Sequence, residues 1–164
     1  MNNVLIKDMN NIFYSYIKSK ILYIQYDHNL NTYFLFIKYN YLFEISSILY
    51  SKKCFYFDCL SCLSCVDFGL KKNKIELVYH MISIPYNYRL TVKILLDRVF
   101  TIKIDSVSSI WKTAEWYERE IFDLFGIYFN NNCNMKRILL PDDWYGHPLL
   151  KDYKPDKYYH GILI

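Results

Sequence analysis

The strongest constraint on the fold lies between residues 75 and 97, where IELVYHMISI and YRLTVKILLD are joined through Pro85-Tyr86-Asn87. In the second run Leu90, Val92, Ile94 and Leu96 fall at every other position. That is the period of a strand with one buried face. Proline and asparagine in the connection are turn-formers, so the two runs read as an antiparallel hairpin. Such a hairpin must bury its apolar face against a second layer.

The rest of the chain supplies that layer. Residues 21–26 and 32–38 are β-rich runs around DHNLN, a second hairpin. Ile12, Phe13, Tyr16 and Ile17 place a helical face within 8–19, with Asp8 as N-cap. Leu42, Ile45 and Leu49 repeat at helical spacing. From about Ser106, Val107, Ile110, Ala114, Tyr117, Ile121 and Leu124/Phe125 read as another helix, stopped at Gly126. The expected architecture is one α+β domain over 1–129 with a largely antiparallel sheet and flanking helices. An irregular, extended C-terminal interaction segment follows over 130–164.

Composition decides which ligands to expect. A hydrophobic content of 53% in 164 residues is enough for a core and excludes a disordered tail. Tyr, Phe, Ile, Asn and Lys abound while Ala114 is the single alanine, a bias that fits an AT-rich organelle genome. Lysine raised by codon bias is no sign of nucleic acid, and the net charge of +4 is mild and scattered. The longest apolar tract, Tyr33 to Tyr50, carries Lys38 and Glu44. Each would cost roughly 2.5–3.5 kcal/mol at mid-bilayer, so the tract reads as a strand and a helix. The N-terminal sequence lacks the pattern of a signal or transit peptide. A soluble chain is expected.

Chemistry-bearing residues fall in three places. Cys59, Cys62 and Cys65 match the first three positions of a ferredoxin run, but Gly69 stands at the fourth. Period-2 alternation sends Cys59 and Cys65 to one face of a strand and Cys62 to the other, which disfavours a shared cluster. In AEWYEREIFDLFGI, Glu115, Arg119 and Asp123 form an i, i+4, i+8 stripe, read as a solvated ladder in which Arg119 pairs with Asp123. Glu120 shares the face of Trp116 and is expected to be partly covered. Finally, Arg137-Ile138-Leu139-Leu140-Pro141-Asp142-Asp143-Trp144-Tyr145-Gly146-His147-Pro148 bunches charges and turn-formers in a chain with only four glycines and four prolines. His147 has no second histidine at ligand spacing, and no P-loop, GxGxxG or GxSxG occurs.

Two segments together carry a resemblance. Glu118-Arg119-Glu120-Ile121-Phe122-Asp123-Leu124-Phe125-Gly126-Ile127 is similar to the ERExxDxFGI motif of the "30 kDa" subunit family of respiratory complex I, known in mitochondrial genomes as NADH dehydrogenase subunit 9. Arg137 to Pro148, continuing to Lys151 and Asp152, resembles the same family's RRILLPDDWxGHPLRKDYP. Lys136 and Leu150 depart from it at arginine positions, Asn132-Cys133 replaces His-Pro, and Lys154 intervenes before Pro155. The resemblance implies a non-catalytic core subunit of the matrix arm, scaffolding the quinone-reducing module. Its foremost partner would be the "49 kDa" subunit. FMN, iron–sulfur clusters and ubiquinone would sit on other subunits, with no cofactor, metal or nucleic acid on this chain. The place would be the matrix side of the mitochondrial inner membrane, reached through the complex alone. Glu118, Arg119, Glu120, Asp123, Gly126, Arg137, Pro141, Asp142, Asp143, Trp144, Gly146, His147, Pro148, Lys151 and Asp152 would form the docking surface, with Trp144 burying its ring against the partner. The alternatives from other classes are a small iron–sulfur electron carrier and an RNA-binding module.

Overall fold

The computed structural model describes residues 15–98, 102–155 and 157–163. Its centre is the hairpin of β4 (Lys74–Ser83) and β5 (Tyr88–Asp97), in register from Lys74↔Asp97 to Ser83↔Tyr88. Asn87 takes a positive φ of 51° to close the turn. β1 (Ile21–Asp27) and β2 (Thr32–Ile37) form the second hairpin, and β3 (Cys59–Asp67) pairs antiparallel with β4. The five strands lie in the order β1-β2-β5-β4-β3, with β2 and β5 parallel and every other pair antiparallel. The α+β class and the largely antiparallel sheet are as expected.

One face of the sheet builds the core. Leu35, Ile37, Leu77, Tyr79, Leu90, Val92 and Ile94 join Leu42, Ile45 and Leu49 of helix α1 (Leu42–Ser51) in one buried cluster. Val107, Trp111 and Ile121 enter the same cluster, and the Trp111 indole N–H donates to the Phe57 carbonyl at 3.0 Å. Helix α2 (Ala114–Phe125) is shorter than the periodicity from Ser106 predicts. Val107 and Ile110 are apolar because they pack, yet they lie in a turn where Ile110 and Trp111 both donate to the Val107 carbonyl. Gly126 ends α2 at φ 77°, the left-handed conformation expected of a C-terminal glycine. Of the helix expected over 8–19, residues 8–14 lie outside the described residues, and 15–17 are helical.

The cysteine run also departs from simple alternation. Leu60 pairs with Met81 and Cys62 with His80, so Ser61 is an extra residue, a β-bulge. The bulge shifts the phase by one residue. Cys59 and Cys62 therefore share the face of His80, and Cys65 points the opposite way with Leu63 and Asp67. The expected pairing of Cys59 with Cys65 on one face is wrong, although the three still divide between two faces. Burial pushes the Cys65 thiol well above its ordinary range, with the Asp67 charge adding to it.

Candidate functional site

Strands β6 (Lys103–Asp105) and β7 (Tyr128–Asn130) form a short parallel pair that leads the chain into and out of α2. From there residues 131–155 run as turns across the end of α2 and the end of β3. Two buried carboxylates hold this path.

The first is Asp123, which is fully buried and not part of a solvated ladder. Its Oδ1 accepts from Arg137 Nη1 at 2.7 Å. Its Oδ2 accepts from three successive backbone N–H groups, Ile138 at 3.1 Å, Leu139 at 2.8 Å and Leu140 at 2.9 Å. Consecutive N–H groups converging on one oxygen make an anion-binding concavity, here filled by the protein's own carboxylate. Burial alone would push the Asp123 carboxyl up. The N–H of Leu140, the Arg137 guanidinium and the N–H groups of Leu139 and Ile138 outweigh it and hold the group below its usual range.

Arg119 does not pair with Asp123. Arg119 is buried, donates to the Lys136 and Arg137 carbonyls at 3.3 and 3.1 Å, and lies 5.1 Å from the centre of the Trp116 ring. The pairing fails because Arg137, distant in sequence, reaches Asp123 first. Arg137 also donates to the Trp144 and Gly146 carbonyls at 2.8 and 3.2 Å, so one guanidinium ties the helix to both halves of the loop.

His147 completes this corner. Its Nδ1 donates to the Asp123 carbonyl at 2.9 Å, which fixes the tautomer with a proton on Nδ1. The ring lies on Gly126, where a Cβ would come within 2.6 Å of His147 Cδ2. Gly126 is thus required twice, for its φ and for its missing side chain. Trp144 N–H closes a turn onto the Pro141 carbonyl at 3.0 Å. The Tyr153 ring fills the space beside Gly146, and its hydroxyl donates to the Tyr145 carbonyl at 3.3 Å. Past Pro148, Leu149 N–H donates to the Leu124 carbonyl at 3.1 Å.

The second carboxylate is Asp67 at the end of β3, also buried. It accepts from the N–H of Gly69 and of Lys151, both at 2.8 Å, and Arg98 Nε stands 3.4 Å away. Arg98 grips Asp152 with both Nη atoms, at 3.2 Å for Nη1. Arg98 carries no motif, and only its non-local contacts identify it. Leu150, at a departure from the family pattern, is partly buried against the core.

Glu118 is a further buried acid of α2, whereas Glu120, expected to be partly covered, is exposed. Glu118 accepts from Ser106 Oγ at 2.6 Å, Val107 N–H at 2.9 Å and Asn132 Nδ2 at 2.8 Å. Asn132, another departure, therefore bonds into the core of the site. Burial raises the Glu118 carboxyl above its ordinary value against the pull of these three donors.

Outward, the loop presents apolar side chains. Tyr145 is 85% exposed, and Leu139 and Leu149 are more than half exposed. Trp144 is only half-buried by its own chain and lies 5.3 Å from the Tyr159 ring. Asp143 accepts from the Tyr159 hydroxyl at 2.8 Å and from His160 Nε2 at 2.7 Å, while Asp142 is exposed. Among the described residues no three His, Cys, Asp or Glu side chains group closely enough to hold a metal ion. Nor is any helix among them long and apolar enough to cross a membrane.

The fold is an α+β domain in which the buried carboxylates Asp123 and Asp67 pin a turn-rich loop. Residues 35–159 match the family described as respiratory-chain NADH dehydrogenase, 30 Kd subunit, and the chain belongs to that family. It is 44% identical over 109 residues to a subunit of the NADH-quinone oxidoreductase of Chloroherpeton thalassium, covering 66% of this chain and 44% of that one. It is 39% identical over 119 residues to an NADH-ubiquinone oxidoreductase subunit 9 of Reclinomonas americana, covering 73% and 57%. The chain thus spans about half the length of the curated relatives it matches. A trypsin-resistant fragment of Nqo5 shares the fold at a TM-score of 0.60 and 20% identity, over 82% of this chain and 99% of that one. A chain of an archaeal membrane-bound sulfane sulfur reductase does so at 0.68 and 24%, over 84% and 76%.

Proposed function

We propose that the protein is a non-catalytic core subunit of the peripheral arm of respiratory complex I. It scaffolds the quinone-reducing module while electrons pass from NADH to ubiquinone. The observation that carries this reading is how the loop's polar groups are used. Asp123, Arg137, the Nδ1 of His147, Asp67, Arg98 and Asp152 all bond within the chain, while Leu139, Tyr145 and Leu149 face outward beside the exposed Asp142 and Lys151. Rigid loops with outward aromatic and aliphatic groups suit docking, because little entropy remains to be lost on binding.

The foremost partner is the large "49 kDa" subunit, and FMN, iron–sulfur clusters and ubiquinone sit on other subunits. The protein works on the matrix side of the mitochondrial inner membrane and is held there by its partners. Mild-detergent extraction of the native membranes, with affinity capture through this chain, tests the reading. Co-purification of the quinone-module subunits, and release of the chain by carbonate, are the expected results. Capture of the chain alone, or its retention in the carbonate-washed lipid pellet, would overturn it.

A further inference from the structure

The motif residues Asp143 and Trp144 are contacted by the chain's own C-terminal segment. Strands β8 (Tyr158–Tyr159) and β9 (Ile162–Leu163) form a two-by-two hairpin, turned by His160 and Gly161 at positive φ. Among the described residues, its attachment to the loop is through the Tyr159 hydroxyl and His160 Nε2 on the two oxygens of Asp143, and the Tyr159 ring beside Trp144. The Asp143 and His160 side chains are both more than half exposed, so solvent screens their contact. Tyr158 and Ile162 project into solvent. A two-stranded hairpin this short is marginal without support. Beneath it, the Trp144 indole N–H is buried and has no acceptor. A buried donor left unpaired marks an arrangement that another state can improve.

We propose that the hairpin is a displaceable strap, holding the place of a docking partner over Asp143 and Trp144. Tyr159 and His160 stand on Asp143 as two donors, and the Tyr159 ring lies beside the indole without accepting its proton. A partner segment that displaces them needs a basic or hydroxyl donor for Asp143 and a carbonyl oxygen for the indole N–H. A chain segment with a Lys or Arg side chain near an unpaired backbone carbonyl has that chemistry.

The strap itself is independent of the scaffold reading, whereas its displacement on assembly rests on it. Hydrogen exchange of the full chain tests the first. Amides of 158–163 should exchange at least about a hundredfold faster than Ile138, Leu139, Leu140 and Lys151, which donate to buried carboxylates. Equal protection of the two segments would overturn the strap. For the second, Tyr159→Ala with His160→Ala should leave the amount of assembled complex at or above wild type, whereas Asp143→Ala should lower it severalfold. Loss of assembly in the Tyr159/His160 variant to the level of Asp143→Ala would show the hairpin to be part of the bound surface, and displacement would be wrong. A chain absent from the complex altogether would refute the scaffold reading and leave the exchange result standing.

Discussion

Replacing Asp123 with asparagine separates a buried clamp from an exposed helical ladder. Asparagine keeps the shape and removes the charge. Its single carbonyl oxygen cannot serve Arg137 on one side and three N–H groups on the other. Its amide must then face a donor with a donor. A surface ion pair on a helix is worth roughly 0–1 kcal/mol. Removing one partner of a buried pair costs about 3–5 kcal/mol, because the remaining charge is left uncompensated. The Arg137 side chain is 17% exposed, so water relieves part of that cost and the lower end applies, about 3 kcal/mol. For a domain of this size that lowers Tm by about 10 °C. Guanidinium unfolding of wild type, Asp123→Asn, Arg137→Met and the double variant, followed by tryptophan fluorescence, gives the coupling of the pair. A coupling of about 1–3 kcal/mol is expected for groups in direct contact. A loss below about 0.5 kcal/mol for Asp123→Asn would return the residue to the solvated ladder and refute the clamp.

Other outcomes follow from the same geometry. Gly126→Ala should destabilise by about 2 kcal/mol, from a left-handed alanine and the displaced His147 ring, and the His147 imidazole resonances should shift in NMR; an unshifted ring would contradict the close approach. Arg98→Met leaves the Asp67 carboxylate buried beside only backbone donors, so amides 150–153 should lose exchange protection while those of 138–140 keep theirs. Glu118 has a folded-state pKa above its unfolded one, so its contribution is fully present below the unfolded pKa of about 4.3 and is lost as pH rises through the raised value. Wild-type stability minus that of Glu118→Gln, measured across pH 4 to 8, should therefore fall with rising pH; a flat or rising difference would show that Glu118 is not destabilised as an anion. Asp123 acts in the opposite sense, with stability present above about pH 3.9 and lost as pH falls through its depressed value.

The sheet was legible because period-2 patterning reports burial directly. Leu90, Val92, Ile94 and Leu96 all point into the core as their spacing predicts. The end of α2 was legible because Gly126 suits the left-handed cap. Residues acting through distant partners were not. Arg119 and Asp123 sit at ideal spacing for a local pair, but Arg137 contributes a buried, charge-assisted bond that a solvated pair cannot match. The bulge at Ser61 left no mark in the alternation, since cysteine and serine are tolerated on either face. Arg98 gave no signal because its partners lie far off in sequence, and the three-residue strands β6 and β7 are too short to show a period. The motif residues stand out in the sequence as a group, but their individual contacts came only from the fold, which buries Glu118, Arg119 and Asp123 and leaves Glu120, Asp142 and Lys151 exposed.

The most direct test of the central claim uses a residue of the motif loop, at its variable position, that the fold turns outward. Tyr145 is 85% exposed and its side chain takes no part in either clamp, so Tyr145→Ala should leave the isolated chain's stability within about 0.5 kcal/mol. Native-gel quantification of NADH:ubiquinone oxidoreductase, divided into the quinone-coupled NADH oxidation rate, separates assembly from chemistry. A scaffold predicts less assembled complex with near-normal turnover for each complex that forms. Normal abundance with turnover down about tenfold, roughly 1.4 kcal/mol in barrier height, would place the loop in the reaction and contradict the account.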